Sequence, residues 1–384
     1  MSSQDSPPRK KGRGCCLTAT VVVAATAVLA ATQRAQFQRV LTMMKGKVAT
    51  SEDLEDWDRV YEDVLDKDGQ YQHNANDADV AASFYNLATD FYEYGWGESF
   101  HFGYRKKGEP ASQSIANAQN FVARKLQVGD GDNVLDMGCG IGGPLRGIVR
   151  ATGANITGLT INPYQVERAY AITSELTPWM QERCHYVVQD YLNVQGLEEG
   201  SYDAAFYMES SLHCEDRSQT FRETYKLLRP GGRVVAMEYN LLPGWNASDP
   251  EHQRLMQMHL HGNGAARTPT IEENIAQFEA AGFEVKEHFD HANHGYAVYG
   301  DEAFPWWGDL QMNWYFQLLP AHPWIRRPLP AILSVLAWAG VVPKDVPRVA
   351  ELMNEGGDGL SGLGKLNAIS PQYYVLAVKP LDAK

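Results

Sequence analysis

From residue 114 to the C-terminus, short apolar runs alternate with stretches whose apolar residues recur every three or four positions. Runs bounded by Gly, Pro, Asn or Asp read as strands, and the longer recurrence reads as helix. The pattern predicts strands over residues 133–136, 155–160, 185–189, 202–208, 233–239, 283–288 and 373–378. A helix over residues 114–126 precedes the first strand, others fall between strands over residues 164–176, 218–228 and 271–281, and Arg229-Pro230-Gly231-Gly232 stops the one over 218–228. Strands and helices in alternation make an α/β, Rossmann-like fold with a mostly parallel sheet flanked by helices.

Outside this region the pattern changes. Arg9, Lys10, Lys11 and Arg13 precede an uncharged apolar run from Cys15 to Thr32. Its length is close to the roughly 20 residues of a spanning helix, and it is read as a retained membrane anchor. A cleaved signal peptide or a plastid-targeting segment fits the same flanks, and a soluble tail helix is the plainest alternative. Residues 33–80 form a charged linker, with an amphipathic helix and then a loop over 66–77. Residues 81–112 are packed with aromatics, among them Phe84, Tyr85, Phe91, Tyr92, Tyr94, Trp96, Phe100 and Phe102. Gly95 and Gly97 are expected to break any helix here and to present the rings on a turn. Residues 113–300 form the α/β domain. Residues 301–384, rich in Trp and Pro, read as a lid or pocket wall closed by the last strand.

Charge and cysteines narrow the class. A net charge of −13 over 384 residues argues against a nucleic-acid binder. Five cysteines, with no paired or zinc-like spacing, suit a reduced, cytosol-facing protein and give no metal site.

The candidate chemistry starts at NVLDMGCGIGGPLR, residues 133–146. A strand enters Asp136, and Gly138, Gly140 and Gly142 let the backbone turn and approach a ligand closely before Pro144 opens a helix. The amide groups at that helix start favour an anion, here a carboxylate. Such a turn alone also fits a dinucleotide or plain packing. A dinucleotide fold places an acid after the second strand to hold ribose hydroxyls. Here Thr160 stands instead, with Gln165 five residues on, and both side chains hydrogen-bond a diol. Asp190, at the end of the third strand, is placed to accept from an adenine amine. The set suits an adenosyl ligand ending in an amino acid, S-adenosylmethionine.

YEYGWGESFHF (residues 92–102), VLDMGCGIGGP (134–144), LLRPGGR (227–233) and the closing YYVLAVKP (373–380) together resemble the sterol 24-C-methyltransferase family. The Gly-rich loop and RPGG turn occur in many methyltransferases, whereas the YEYGWG segment is highly specific. The resemblance implies a class I methyltransferase fold, a seven-stranded sheet, and methyl transfer from S-adenosylmethionine to the side-chain alkene of a sterol. It also implies membrane association, at the endoplasmic reticulum with the catalytic domain facing the cytosol, and allows a homo-oligomer. An alkene attacking a sulfonium methyl leaves a carbocation, which needs electron-rich rings or a carboxylate arranged beforehand. Tyr92, Tyr94 and Trp96 are the ring candidates, with Glu93 adding charge. Glu209 and His213, after the fourth strand, match an acid and a histidine of the family and are candidates to stabilise the cation or remove its proton. Glu238 is a third carboxylate. The chain departs from the family where it reads ESSLHCEDR (209–217), at Thr160-Ile161-Asn162, whose spacing to Gln165 is more like cyclopropane fatty acid synthases, and at Asn263, where Gly-Asp-Gly is common. The alternatives are methylation of another alkene lipid, such as a linear triterpene or an unsaturated acyl chain, and a non-catalytic lipid or donor binder.

Overall fold

The computed structural model describes residues 51–64, 77–313 and 319–382, all within the unit Lys47–Lys384. The apolar run 15–32 and nearly all of the loop expected over 66–77 lie outside the described residues. Among those described, no helix is long and apolar enough to cross a membrane.

Seven strands build the central sheet: β1 (Asn133–Met137), β2 (Asn155–Thr160), β3 (Cys184–Val188), β4 (Tyr202–Met208), β5 (Leu228–Leu241), β6 (Glu284–Asp290) and β7 (Ile369–Val378). Their spatial order is β3-β2-β1-β4-β5-β7-β6, and β7 runs antiparallel to both its neighbours. The remaining pairs are parallel. Parallel strands need cover on both faces, which is why Val134, Leu135, Ala204, Ala205, Val234 and Val235 are all fully buried. Helix α3 (Ala111–Leu126) precedes β1, and between the strands run α4 (Gly143–Thr152), α5 (Pro163–Ser174), α6 (Ser218–Leu227) and α8 (Ile271–Ala280). The Arg229-Pro230-Gly231-Gly232 turn does end α6, but β5 begins at Leu228 and carries the turn as an irregularity in its pairing with β4.

Around this sheet pack α1 (Ser51–Asp63), α2 (Asp77–Trp96), α7 (Pro250–Gly262), α9 (Leu329–Trp338) and α10 (Val346–Lys365). The aromatic segment is a correction. Gly95 does not break the helix, because α2 continues to Trp96 and only Gly97, at φ 91°, ends it. Phe84, Leu87, Ala88 and Phe91 lie on one face of α2 and are buried against α1 and α10. That burial outweighs the roughly 1 kcal/mol cost of a helical glycine.

Candidate functional site

The carboxyl ends of β1, β2, β3 and β4 converge on one edge of the sheet, where open α/β sheets bind ligands. Gly138, Gly140 and Gly142 all have positive φ there. Only Gly140 faces open space: a Cβ would meet nothing closer than the Phe100 ring at 3.5 Å. At Gly138 and Gly142 it would collide with Ser210 and Tyr186. Arg146, buried in α4, fixes the loop by donating to the Ile141 carbonyl (2.8 Å) and to Glu98 (2.9 Å).

This loop walls a chamber of about 760 Å³, counted out to its mouth, with Thr160, Gln165, Asp190, Glu209 and His213 also in the wall. The Thr160 hydroxyl donates to Gln165 Oε1 (2.6 Å), and Gln165 Nε2 donates to Thr89 of α2 (3.2 Å). The pair is thus oriented by the helix above it. Asp190 Oδ1 accepts from the Leu192 amide (2.8 Å), which fixes the turn after β3. Asp136 sits behind the loop rather than in the wall. Its Oδ2 is buried with no protein partner, and burial holds its carboxyl well above the usual carboxylate range. An open cradle at Gly140, the amides of the first turn of α4 and a polar pair on the opposite side fit S-adenosylmethionine. Among the described residues no cluster of His, Cys, Asp and Glu is placed to hold a metal.

A second chamber, of about 1020 Å³ to its mouth, adjoins the first. Tyr92, Tyr94 and Trp96 line it from the last turn of α2, facing Phe102, Tyr239, Asn263 and the segment from Pro320 to Leu329. Tyr92 stacks obliquely on Phe100 at 5.4 Å, and Trp96 meets Phe102 edge-on at 5.8 Å. The Tyr92 hydroxyl donates to Asn263 (3.2 Å), which also donates to the His259 carbonyl at 2.9 Å. Helix α2 therefore spans both chambers: Asp77, Ala78, Ala81 and Tyr85 face the first, and Tyr92, Tyr94, Gly95 and Trp96 face the second.

Tyr85, Phe100 and Glu209 belong to both walls. Glu209 follows β4 with φ 56°, a left-handed conformation that a non-glycine residue keeps only when its surroundings fix it. Its amide donates to Met237 of β5 (2.8 Å). Its carboxyl accepts from the Phe102 amide (2.7 Å) and the Tyr239 hydroxyl (3.2 Å). Desolvation raises the Glu209 pKa well above the ordinary range despite these bonds. His213 Nδ1 lies 2.7 Å from the Gly264 carbonyl, so it carries the proton, and Nε2 accepts from the Tyr85 hydroxyl at 3.0 Å. Burial pushes His213 down to about 4, so the ring is neutral at pH 7.

Two carboxylates are placed differently from expectation. Glu93 turns away from the chambers and clamps Arg168 of α5 through two bonds, of 2.8 and 2.6 Å. Glu238, the third candidate, lines neither chamber: it is fully buried and accepts from the Ser210 and Ser211 amides (2.9 and 3.1 Å), holding the turn that carries Glu209. The sequence places Tyr85, Phe100 and Phe102 in the aromatic segment without giving any of them a role, and it gives no signal for Tyr239. For Tyr85 a signal existed, since it stands two helical turns before Tyr92 and so shares its face once α2 is known to be continuous.

Residues 135–236 match the methyltransferase domain family. Solved structures share the fold: the [4+2]-cyclase SpnF, at TM-score 0.57 and 20% identity over 78% of this chain and 95% of that one, and the cyclopropane synthase MmaA2 of Mycobacterium tuberculosis, at 0.56 and 17% over 83% and 98%. The molecule has the class I methyltransferase fold. Among curated proteins, the sterol 24-C-methyltransferase of Aspergillus fumigatus is 30% identical over 90% of this chain and 93% of its own length. The cycloartenol-C-24-methyltransferase of Arabidopsis thaliana is 32% identical over 80% and 89%. The chain belongs to the sterol 24-C-methyltransferase family.

Proposed function

We propose that this protein is an S-adenosylmethionine-dependent methyltransferase that adds a methyl group at C-24, on the side-chain double bond of a sterol. One observation carries the reading: in a chain of this family, a donor chamber and an aromatic chamber share a wall made of Tyr85, Phe100 and Glu209. S-adenosylmethionine, when bound, supplies an electrophilic methyl group. The alkene is the nucleophile, so no Ser or Cys is required. Phe100 and Phe102 exclude water, while the faces of Tyr92, Tyr94 and Trp96 stabilise the tertiary cation left on the sterol side chain. Glu209, held by Phe102 and Tyr239, supplies negative charge at the shared wall once the donor's positive charge favours its carboxylate form. The Tyr85 oxygen takes the proton from the carbon next to the cation as its own proton passes to His213 Nε2, and the C–H electron pair becomes the new double bond.

The proposal includes a membrane location, at the endoplasmic reticulum with the catalytic domain facing the cytosol. It is supported by the insolubility of a sterol, by the apolar run 15–32, and by the unpaired cysteines Cys139, Cys184 and Cys214. Expression in a host lacking its own sterol methyltransferase tests the reaction. Sterols carrying an added side-chain methyl are the expected product, and label from the donor appearing only in non-sterol lipids would overturn the reading.

A further inference from the structure

Helix α9 breaks the rule that a surface helix turns a polar face to water. LPAILSVLAW contains no charged residue, and its single polar side chain, Ser334, bonds back to the Pro330 carbonyl (2.8 Å). Pro330 and Leu333 face inward and are buried. Ile332, Val335 and Trp338 point outward and are 53%, 64% and 89% exposed. Trp324 just before the helix and Val341 just after it, at 57% and 53%, extend the patch. A helix apolar on every side needs a second apolar phase on its outer face.

Two further observations name that phase. The segment leading into α9 forms the edge of the substrate chamber, through Pro320, Ala321, Arg326 and Leu329. The charge around the helix is also opposite to that of the whole chain. Between residues 322 and 348 stand Arg326, Arg327, Lys344 and Arg348 with one acid, Asp345, in a protein of net charge −13. Arg327 and Arg348 pair with Asp358 and Asp58, yet their side chains stay 59% and 58% exposed. Exposed pairs of this kind are weak, so both cations remain available to anionic headgroups. Ten residues make a helix about 15 Å long, about half the ~30 Å hydrocarbon core, so α9 cannot span a bilayer and fits its interface.

We infer that α9 is a docking face that lies in the surface of an anionic bilayer and sets the mouth of the substrate chamber against the lipid from which the sterol enters. This rests on the sterol reading above only for the identity of what enters. In the full-length chain with Cys15→Ser and Cys16→Ser, a polarity-sensitive fluorophore is attached at Val335→Cys and, separately, at Glu175→Cys, an exposed position beyond α5. Vesicles of phosphatidylcholine and phosphatidylserine are expected to blue-shift the label at 335 and leave that at 175 unchanged. A shift at both positions or at neither overturns the inference. So does a label at 335 already blue-shifted without vesicles, which would mean that the patch is covered by residues 15–32 or by a second copy. Paired Val335→Glu and Trp338→Glu changes are expected to lower turnover of vesicle-borne sterol several-fold and leave turnover of cyclodextrin-delivered sterol unaltered; equal loss in both overturns it. Absence of product with either delivery from the unsubstituted chain would instead count against the sterol reading, and the fluorescence result would still decide the docking face.

Discussion

The Tyr85 hydroxyl donates to Nε2 of His213 at 3.0 Å, while the opposite ring nitrogen is held by the Gly264 carbonyl at 2.7 Å. The carbonyl fixes the tautomer, so the only basic atom of the imidazole points at a phenol in the wall between the two chambers. Tyr85→Phe removes the proton path but keeps the ring. It is expected to lower kcat by about 100-fold, the lower end of what a positioned base contributes, with donor affinity unchanged. Because burial pushes His213 down to about 4, kcat should show no titration near the usual histidine value of ~6.5. A rapid-quench measurement of kcat against pH checks both statements. Full turnover in Tyr85→Phe would remove the pair from the mechanism.

Glu209 gives a prediction of opposite sign. Its carboxyl is held well above the ordinary range by desolvation, which favours the protonated form in the free enzyme. The donor brings a positive charge to the chamber that Glu209 lines, and a nearby cation favours the carboxylate. Donor binding should therefore release a proton, and affinity should rise as pH rises through the Glu209 pKa. Calorimetry in buffers of different ionisation enthalpy counts that proton. In Glu209→Gln the release should vanish and turnover fall by about 100-fold or more, with the donor still bound.

The Gly-rich loop is tested at the one glycine whose missing side chain leaves ligand space. Gly140→Val forces a β-branched residue to φ 52° and fills the chamber beside Phe100. Donor binding should be lost in equilibrium titration. Circular dichroism should report a folded chain, because no protein atom stands closer than 3.5 Å to the new Cβ.

Much of this arrangement was legible in the sequence, and the parts that were not share a cause. Strands β2 and β4 run over the residues that the pattern predicts, 155–160 and 202–208, and in β4 the covered part, residues 204–208, is written as a continuous apolar run. Thr160, Asp190 and Glu209 stand at strand ends, where topology alone places a site. Glycine-containing helices were missed. Gly95 lies inside α2, and α10 carries Gly356, Gly357, Gly359, Gly362 and Gly364, which read locally as loop. In three dimensions Gly356 and Gly359 answer a packing need: a Cβ at Gly356 would sit 2.5 Å from the Gly262 carbonyl of α7, and one at Gly359 would sit 2.6 Å from the His259 amide. Close approach of two helices is a long-range fact that local propensity does not carry.

The continuity of α2 has its own test. At Gly95 a Cβ meets nothing within 4 Å, and the residue lies in the last helical turn before Gly97. Gly95→Ala should raise stability by about 0.5–1 kcal/mol in urea denaturation, the helix-propensity difference between the two residues. A turn at this point, as local sequence suggests, predicts no gain. Because Gly95 lines the substrate chamber, the added methyl group is expected to change KM for the lipid more than for the donor.

Asn263 stands where the resemblance implies an acid, and its hydrogen bonds define what such a change would do. The amide makes two kinds of bond: its oxygen accepts from Tyr92, and its nitrogen donates to the His259 carbonyl at 2.9 Å and lies 3.0 Å from His259 Nδ1. An aspartate still accepts from Tyr92 but loses both donated bonds and sets a negative charge in the wall of the cation's chamber. Asn263→Asp is therefore expected to lengthen the life of the cation beside Tyr92 and to change which neighbouring carbon gives up its proton. The readout is the ratio of double-bond isomers in the methylated product, resolved by gas chromatography and mass spectrometry. Asn263→Ser keeps a small polar group without charge and separates the effects: a changed ratio in Asp but not in Ser assigns the outcome to charge. The same change in both assigns it to the lost bonds from the residue 263 amide to His259.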